Sequence, residues 1–380
     1  MATTLITGRQ ATDTITSGQV IRDVDDVVRY LDPDVAPLTM LTRRLRKRKA
    51  TAPKVEWMEQ DRMPLFTTLS ASAASNGTAL GVTDNIFRVG DVIRITSTGE
   101  ACEVTATAAG AVTVVRAIGV AVTAGVTAAS AAELFIVNNV NAEGAGLREI
   151  KTVATVFPFN YCQTIRTPTG LTGTDAATSQ YGGINYASLQ KDALFEHYRS
   201  LEGTALEGAK RIDTTTAGAT KHFAGGIVEF VTTNVTAVGG ALTEAAFNTF
   251  LRTGFRYGST NKVLLASPVV ASAINGFPST AVVRPSTGLS NWGNHISSYL
   301  SPFGTVDIMV EKFLLDSANL KGYAFLIDMD NVFWAYLRDI KWLPDRQAPD
   351  VDAMIGEYLS QSCFVFTNEK KHSILTGVTG

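Results

Sequence analysis

The chain has 380 residues, 45% of them hydrophobic and 18% charged, with 33 Lys and Arg against 35 Asp and Glu for a formal net charge of -2. That length supports two or three cores in a soluble globular protein, and the near balance of charge excludes a strongly basic nucleic-acid binder. No apolar run reaches the length of a bilayer span, and the opening "MATTLITGRQATDTITSGQV" lacks the basic-then-apolar order of an export signal, so the expected compartment is the cytoplasm of the cell that makes it.

Residues 1–50 offer few apolar anchors and are broken by Pro33 and Pro37, with Pro53 just beyond. They predict an extended arm with at most a short helix around "DVDDVVRYL". The charge on this arm is segregated: Asp23, Asp25, Asp26, Asp32 and Asp34 precede "RRLRKRK", Arg43 to Lys49. Such a run can grip phosphate or pair with acidic protein surface, and the lack of interleaved aromatic residues favours the second. Asp23, Asp25, Asp26, Arg43, Arg44, Arg46 and Lys47 are therefore candidates for contact with another chain.

From "KVEWMEQDRMPLFTTL" the pattern becomes strand-like, and the low-complexity stretch "SASAASNGTAL" follows. Residues 82–138 alternate at period two in "DVIRI", "CEVTAT", "AVTVVRA" and "ELFIVN", with turns at Gly90-Asp91, Thr98-Gly99 and Ala109-Gly110. They read as a small β-barrel or sandwich inserted into a loop. "GVAVTAGVTAASAA" is too poor in large apolar groups for a big core, so the insertion should be an exposed module on a larger body.

After "EGAG" and the irregular or strand-like "VATVFPFNYCQTIRT" comes "NYASLQKDALFEHYRSLEGTALEGAKR", Asn185 to Arg211, the longest predicted helix. Asn185 after Gly182-Gly183 is its expected N-cap, and Gly208 weakens its far end. Ala187, Leu194, Tyr198, Leu201 and Ala205 form the expected buried stripe, with Asp192, Glu196, Arg199, Glu207 and Lys210 opposite. Glu196 and Arg199 on that wet face join the candidates for intermolecular contact. Next, "HFAGGIVEFV" predicts a Gly-Gly turn into a buried strand, "LTEAAFNTFLRTGFRYGS" a helix capped by Thr243, and "NKVLLASPVVASAI" a strand followed by a helix. "TVDIMV", "YAFLID", "VFWAYLR" and "SCFVFT" are short apolar strands, which makes the body α+β.

Signatures of chemistry are missing. His197, His222, His295 and His372 show no metal-ligand spacing, and there is no GxGxxG, Walker loop or GxSxG. "SLQK" at Ser188–Lys191 fits S-x-x-K without its partner motifs, and "DMDN" at Asp328–Asn331 lacks the Gly and distal Glu of a calcium loop. Cys102, Cys162 and Cys363 are odd in number and far apart in sequence, which implies reduced, buried thiols. No cofactor, metal site or catalytic residue is predicted.

The order of acidic arm, basic run, β excursion, "EGAG", "NYCQTIR", a GTD loop, a long helix ending "LEGTALEGAKR", "AGGIVEF", "LLASPVV", "YLSPFGTVDIMV", "LIDMDNVFWAYLR" and "GEYLSQSCFVF" resembles the major capsid proteins of tailed bacteriophages of the Hong Kong 97 type. The resemblance spans nearly the whole chain and rests on many weak matches in sequence order. It implies an α+β Hong Kong 97-like capsid fold: an N-terminal arm (1–50), the first strand of an extended loop (51–77), an inserted small β-barrel-like module (78–139), the loop's return (140–157), a peripheral domain with a long spine helix (158–224), an axial domain (225–340) and a C-terminal return to the peripheral domain (341–380). It also implies a non-enzymatic virion protein that forms hexamers and pentamers in an icosahedral head shell. The shell would be assembled in the host cytoplasm around double-stranded DNA held by weak non-specific contact, with scaffolding, portal and decoration proteins as partners. The alternatives are a phage tail or baseplate adhesion protein, suggested by the β insertion, and an enzyme with a dispersed active site.

Overall fold

A computed structural model of the chain describes residues 36–119, 126–178, 186–216, 218–277, 282–283, 297–317 and 319–379. Asp23, Asp25, Asp26, the helix expected around residues 23–31 and the Asn185 cap lie outside these residues. The chain divides into two compact units, one made of the residues up to Trp57 together with Pro158 onward, the other of Met58–Phe157.

Among the described residues the first element of the first unit is a helix, α1 (Pro37–Leu45), where the sequence predicts an extended run. Pro37 opens this helix instead of breaking the chain, because at the first helical position proline's missing N–H costs nothing and its fixed φ suits the helix. Strand β1 (Lys47–Lys49) follows, then β2 (Lys54–Glu56). Leu38, Thr39, Thr42 and Ala50 are buried, so this part of the arm packs on its own chain.

The second unit holds β3 (Phe66–Thr68), β4 (Ala79–Gly81), β5 (Asp91–Ile95), β6 (Ala101–Ala108), β7 (Ala111–Val115) and β8 (Glu133–Asn139). They form one antiparallel sheet in the order β3-β8-β5-β6-β7-β4. The alternation read from the sequence is the burial pattern: Ile93, Ile95, Cys102, Val104, Val112, Val114 and Leu134 point inward to a core that also takes Leu80 and Phe87. Gly90, Gly99 and Gly110 adopt positive φ at the three predicted turns. The sheet also recruits Phe66–Thr68, through the pairing of Phe66 with Phe135. Inside this unit the Glu100 carboxylate accepts from the Arg116 Nε at 2.9 Å and from Ala117 N and Val126 N, a buried pair whose donors hold its pKa below the ordinary value against the opposing effect of burial.

Back in the first unit the chain runs through β9 (Phe159–Tyr161), β10 (Gln163–Thr172), the short α2 (Gly173–Ala177), α3 (Tyr186–Glu207), β11 (Arg211–Asp213), β12 (Lys221–Phe223) and α4 (Ile227–Phe230). It then continues through β13 (Val235–Gly240), α5 (Glu244–Gly254), β14 (Asn261–Ala266), α6 (Pro268–Asn275), β15 (Val282–Val283), β16 (Ser297–Ser301), β17 (Gly304–Val310), α7 (Phe313–Asp316), β18 (Ala324–Ile327), β19 (Val332–Leu343), β20 (Ala353–Phe366) and β21 (Ser373–Val378). One sheet has the order β1-β19-β20-β10, with β1 parallel to β19 and the other neighbours antiparallel. A second sheet runs β13-β21-β18-β14-β17-β16-β15, and its central β18 is buried at every position, which accounts for the unbroken apolar run there.

Caps legible in the sequence start α5 and α6: Thr243 Oγ1 accepts from Ala246 N and Ser267 Oγ from Val270 N, each at 3.3 Å. The "HFAGGIVEFV" segment is a correction. His222 and Phe223 end β12, and where a buried strand is predicted Ile227–Phe230 forms a single helical turn, entered through Gly226, whose N–H reaches Gly208 O beyond the end of α3 at 2.7 Å. A Cβ on Gly226 would stand 2.7 Å from Gly208 N, so both glycines serve a backbone contact.

Helix α3 spans 22 residues, or about 33 Å. Its buried line is Ala193, His197, Leu201, Glu202, Ala205 and Leu206. Of the predicted stripe, Leu201 and Ala205 are buried, Leu194 and Tyr198 are half-buried, and Ala187 is exposed. The face is rotated because two polar side chains, both satisfied by hydrogen bonds, occupy the interior line.

Candidate functional site

The described part of the arm is held at its root by one carboxylate. Helix α1 starts at Ala36 without a side-chain cap of its own. Glu202 supplies it from the C-terminal part of α3: Leu38 N donates to Oε1 at 2.8 Å and Thr39 N to Oε2 at 2.7 Å, and the Thr39 hydroxyl donates to Oε2 as well. A carboxylate at the positive end of a helix, accepting its first N–H groups, is favourable in both charge and hydrogen bonding. Glu202 is nevertheless fully buried, and burial raises its pKa although these donors and a hydrogen bond from the Glu311 side chain act against the rise. Glu311, at the end of β17, is itself buried.

The basic run splits between the body and solvent. Arg43 donates from Nη1 to the Tyr198 hydroxyl at 2.7 Å and from Nη2 to Asp339 Oδ1 at 3.2 Å, with its guanidinium 5.6 Å from the Tyr198 ring centre. Lys47 Nζ lies 3.8 Å from Asp339 Oδ2, and the Arg46 guanidinium donates to the Asp330 carbonyl. Arg44, Lys47, Arg48 and Lys49 are exposed. Thus Asp339 of β19 gathers Arg43 and Lys47 within the chain. On α3, Glu196 and Arg199 are both exposed and stand on the face opposite the core.

Two buried histidine clusters stiffen the same unit. His197 shares hydrogen bonds with Thr167 Oγ1 at 3.0 Å and Ser360 Oγ at 2.8 Å, tying α3 to β10 and β20. Burial, followed by the nearby Arg43 charge, pushes its pKa down to about 4. His372 accepts from Asp328 N at Nδ1, and burial, reinforced by Lys262, also depresses it to about 4. Lys262 donates its ammonium to the carbonyls of Gly254, Tyr257 and Lys371, and burial lowers it to about 8. The "DMDN" acid Asp328 spends its oxygens on Ser259, Asp330 N and Asn331, which is a turn lock.

These polar groups all join elements of the fold, and among the described residues no three His, Cys, Asp or Glu side chains converge as a metal set. A family model described as SU10 major capsid protein matches residues 6–379. The chain belongs to that family. In architecture this major capsid protein is similar to the solved "Capsid of native GTA particle computed with C5 symmetry", at a TM-score of 0.56 and 9% identity, covering 98% of this chain and 99% of that one. It is similar also to the "Capsid of empty GTA particle computed with C5 symmetry", at 0.52 and 10%, covering 97% and 98%. No curated protein matches its sequence. The fold is the Hong Kong 97-like capsid fold, the protein is a head-shell component of the virion, and neither the tail-adhesion nor the enzyme alternative is favoured.

Sequence reasoning missed Glu202, Glu311 and the two histidine clusters. For Glu202 a signal was present: it lies four residues after Tyr198 and four before Leu206, so a charged residue sits on the apolar line of the helix. Asp328 bonds locally to Asp330 and Asn331, but its link to Ser259, that of Lys262 to Lys371 and that of Glu311 to Glu202 join residues 69 or more positions apart, where spacing carries nothing.

Proposed function

We propose that copies of this chain join as hexamers and pentamers into an icosahedral shell around a double-stranded DNA phage genome, assembled in the host cytoplasm, with a structural and not a catalytic role. The observation that carries this reading is the exposure of large apolar side chains in the second unit: Leu147 is 92% exposed, Ile150 76% and Met58 74%. Neighbouring copies packed on this unit would take these side chains out of water. The arm, extended loop, peripheral and axial domains take the boundaries given by the resemblance. Asp23, Asp25, Asp26, Arg44, Glu196 and Arg199 serve contacts between copies, as does the exposed Lys47 beyond its 3.8 Å approach to Asp339, while Arg43 and Arg46 act first to seat the arm on its own body. Scaffolding, portal and decoration proteins are the expected partners, and DNA touches the wall weakly. Negative-stain microscopy of the purified full chain, alone and with neighbouring phage products, tests the proposal. Rings or closed shells are expected; a population made only of small oligomers under every condition overturns it.

A further inference from the structure

Cys162 and Cys363 are separated by 201 residues, yet their sulfur atoms stand 3.7 Å apart. The pairing of β10 with β20 brings them together. Its last register pair is Gln163 with Ser362, so the next position along the ladder sets Cys162 opposite Cys363. Directly opposed residues of an antiparallel pair have Cα atoms about 4.5–5.5 Å apart. That lies inside the roughly 4.4–6.8 Å that a disulfide spans, so side-chain rotation alone can bring the sulfurs to bonding distance. Both thiols are free and buried, packed with Ala50, Val55, Trp57, Ala224, Ala335 and Val365. Cys102 belongs to the other unit's core and has no such neighbour in its cluster.

We propose that Cys162 and Cys363 form an oxidisable dithiol, a covalent modification site at which a hydroperoxide converts the reduced subunit into one cross-linked between β20 and the β9–β10 junction. The hydrogen bond between the thiols favours ionisation of Cys162, whose pKa is lowered, and raises that of Cys363. Cys162 is therefore the attacking sulfur. Its thiolate takes one oxygen from hydrogen peroxide to give a sulfenic acid, and the other oxygen leaves as hydroxide, which becomes water on protonation. The Cys363 sulfur then attacks the sulfenic sulfur, forming the S–S bond and expelling a second water. Two thiols lose two electrons and two protons, and one peroxide becomes two waters. The site suits a protein made among reduced thiols and later carried in a particle outside the cell, where disulfides persist; this part of the reasoning rests on the virion assignment, whereas the chemistry does not.

The test uses purified full-length protein, reduced and then treated with hydrogen peroxide under native conditions. After removal of peroxide it is denatured, alkylated and mapped by mass spectrometry. Cys162 and Cys363 should appear as one linked peptide pair lighter by two hydrogens, separable by reductant, while Cys102 stays alkylated. The oxidised protein should need more denaturant to unfold, and reductant should reverse the shift. In Cys363→Ser, Cys162 should stop at a sulfenic acid that dimedone traps. Recovery of both cysteines as free thiols from folded, peroxide-treated protein overturns the proposal, and so does oxidation of either one to sulfinic acid without linkage. Because unassembled subunits suffice, failure here is distinct from failure to form shells.

Discussion

Glu202 concentrates two opposed effects in one side chain: it satisfies the first N–H groups of α1, and it stands where a charge loses its hydration. Glu202→Ala should strip those buried donors of their partner and cost about 1–3 kcal/mol, read as a lower urea midpoint with proteolysis beginning near α1. Glu202→Gln should cost less. The pH signature has a definite sign, since a carboxyl with a raised folded pKa contributes fully below the ordinary carboxylate range and loses that contribution as pH rises through its folded value. Stability of the wild type should thus fall relative to the Gln variant on going up from about pH 4.3, and equal slopes for the two proteins would disprove the ionisable role. His372 gives the opposite limb. Burial holds its folded pKa down at about 4, below the ordinary value of 6.5, so its contribution is present above about pH 6.5 and is lost as the solution is acidified toward 4. His372→Gln should flatten this acid limb by on the order of 1–3 kcal/mol, measured by denaturant titration at several pH values.

At the scale of elements, the second unit should be removable as a whole. Trp57 N donates to Pro158 O at 3.1 Å, and β2 pairs with β9 just outside the unit, so the ends to be joined already lie side by side. Replacing residues 58–157 by a short Gly/Ser linker should leave a soluble first unit that unfolds in one cooperative transition, measured by circular dichroism against urea. Excision of residues 78–139 alone would take β8 away from β3 and leave Phe66–Thr68 unpaired, so it should yield the less soluble product. The strands β5 to β8 were legible because their period-two alternation follows their burial, β17 to β20 because short apolar runs mark buried strands, and α5 and α6 because their caps are local. Helix α1 was not legible, since its cap comes from Glu202, 164 residues after Leu38. The face of α3 was read with a rotation error because His197 and Glu202 look like surface residues until Ser360 and α1 are placed against them. Of the candidate site, the exposure of Arg44, Lys47, Glu196 and Arg199 followed from the sequence; the capture of Arg43 by Tyr198 and Asp339 did not, because those residues come from elements far along the chain.

For the whole molecule, a shell repeats each contact many times, so terms of about 0–1 kcal/mol per exposed ion pair can decide whether it closes. Arg44→Ser with Lys47→Ser should leave the folded subunit intact and slow or prevent closure, followed by light scattering and microscopy. Charge pairs are screened over roughly 10 Å at 0.1 M salt, whereas apolar burial is not weakened in this way. Wild-type assembly resting on these pairs should decline as sodium chloride rises, and the double variant should show a flatter dependence. Normal closure with poor DNA packaging would instead assign the run to nucleic acid.

The parallel seat of β1 on β19 has a consequence in time. Asp339, which anchors Arg43, follows it by 296 residues. At roughly 5–20 residues per second a ribosome delivers that partner some tens of seconds after the arm has emerged. During this interval Arg43 and the strand Lys47–Lys49 have no home on their own chain. The arm therefore takes its seat on β19 only after nearly all of the body has been made, and its docking is a late step in the folding of each chain.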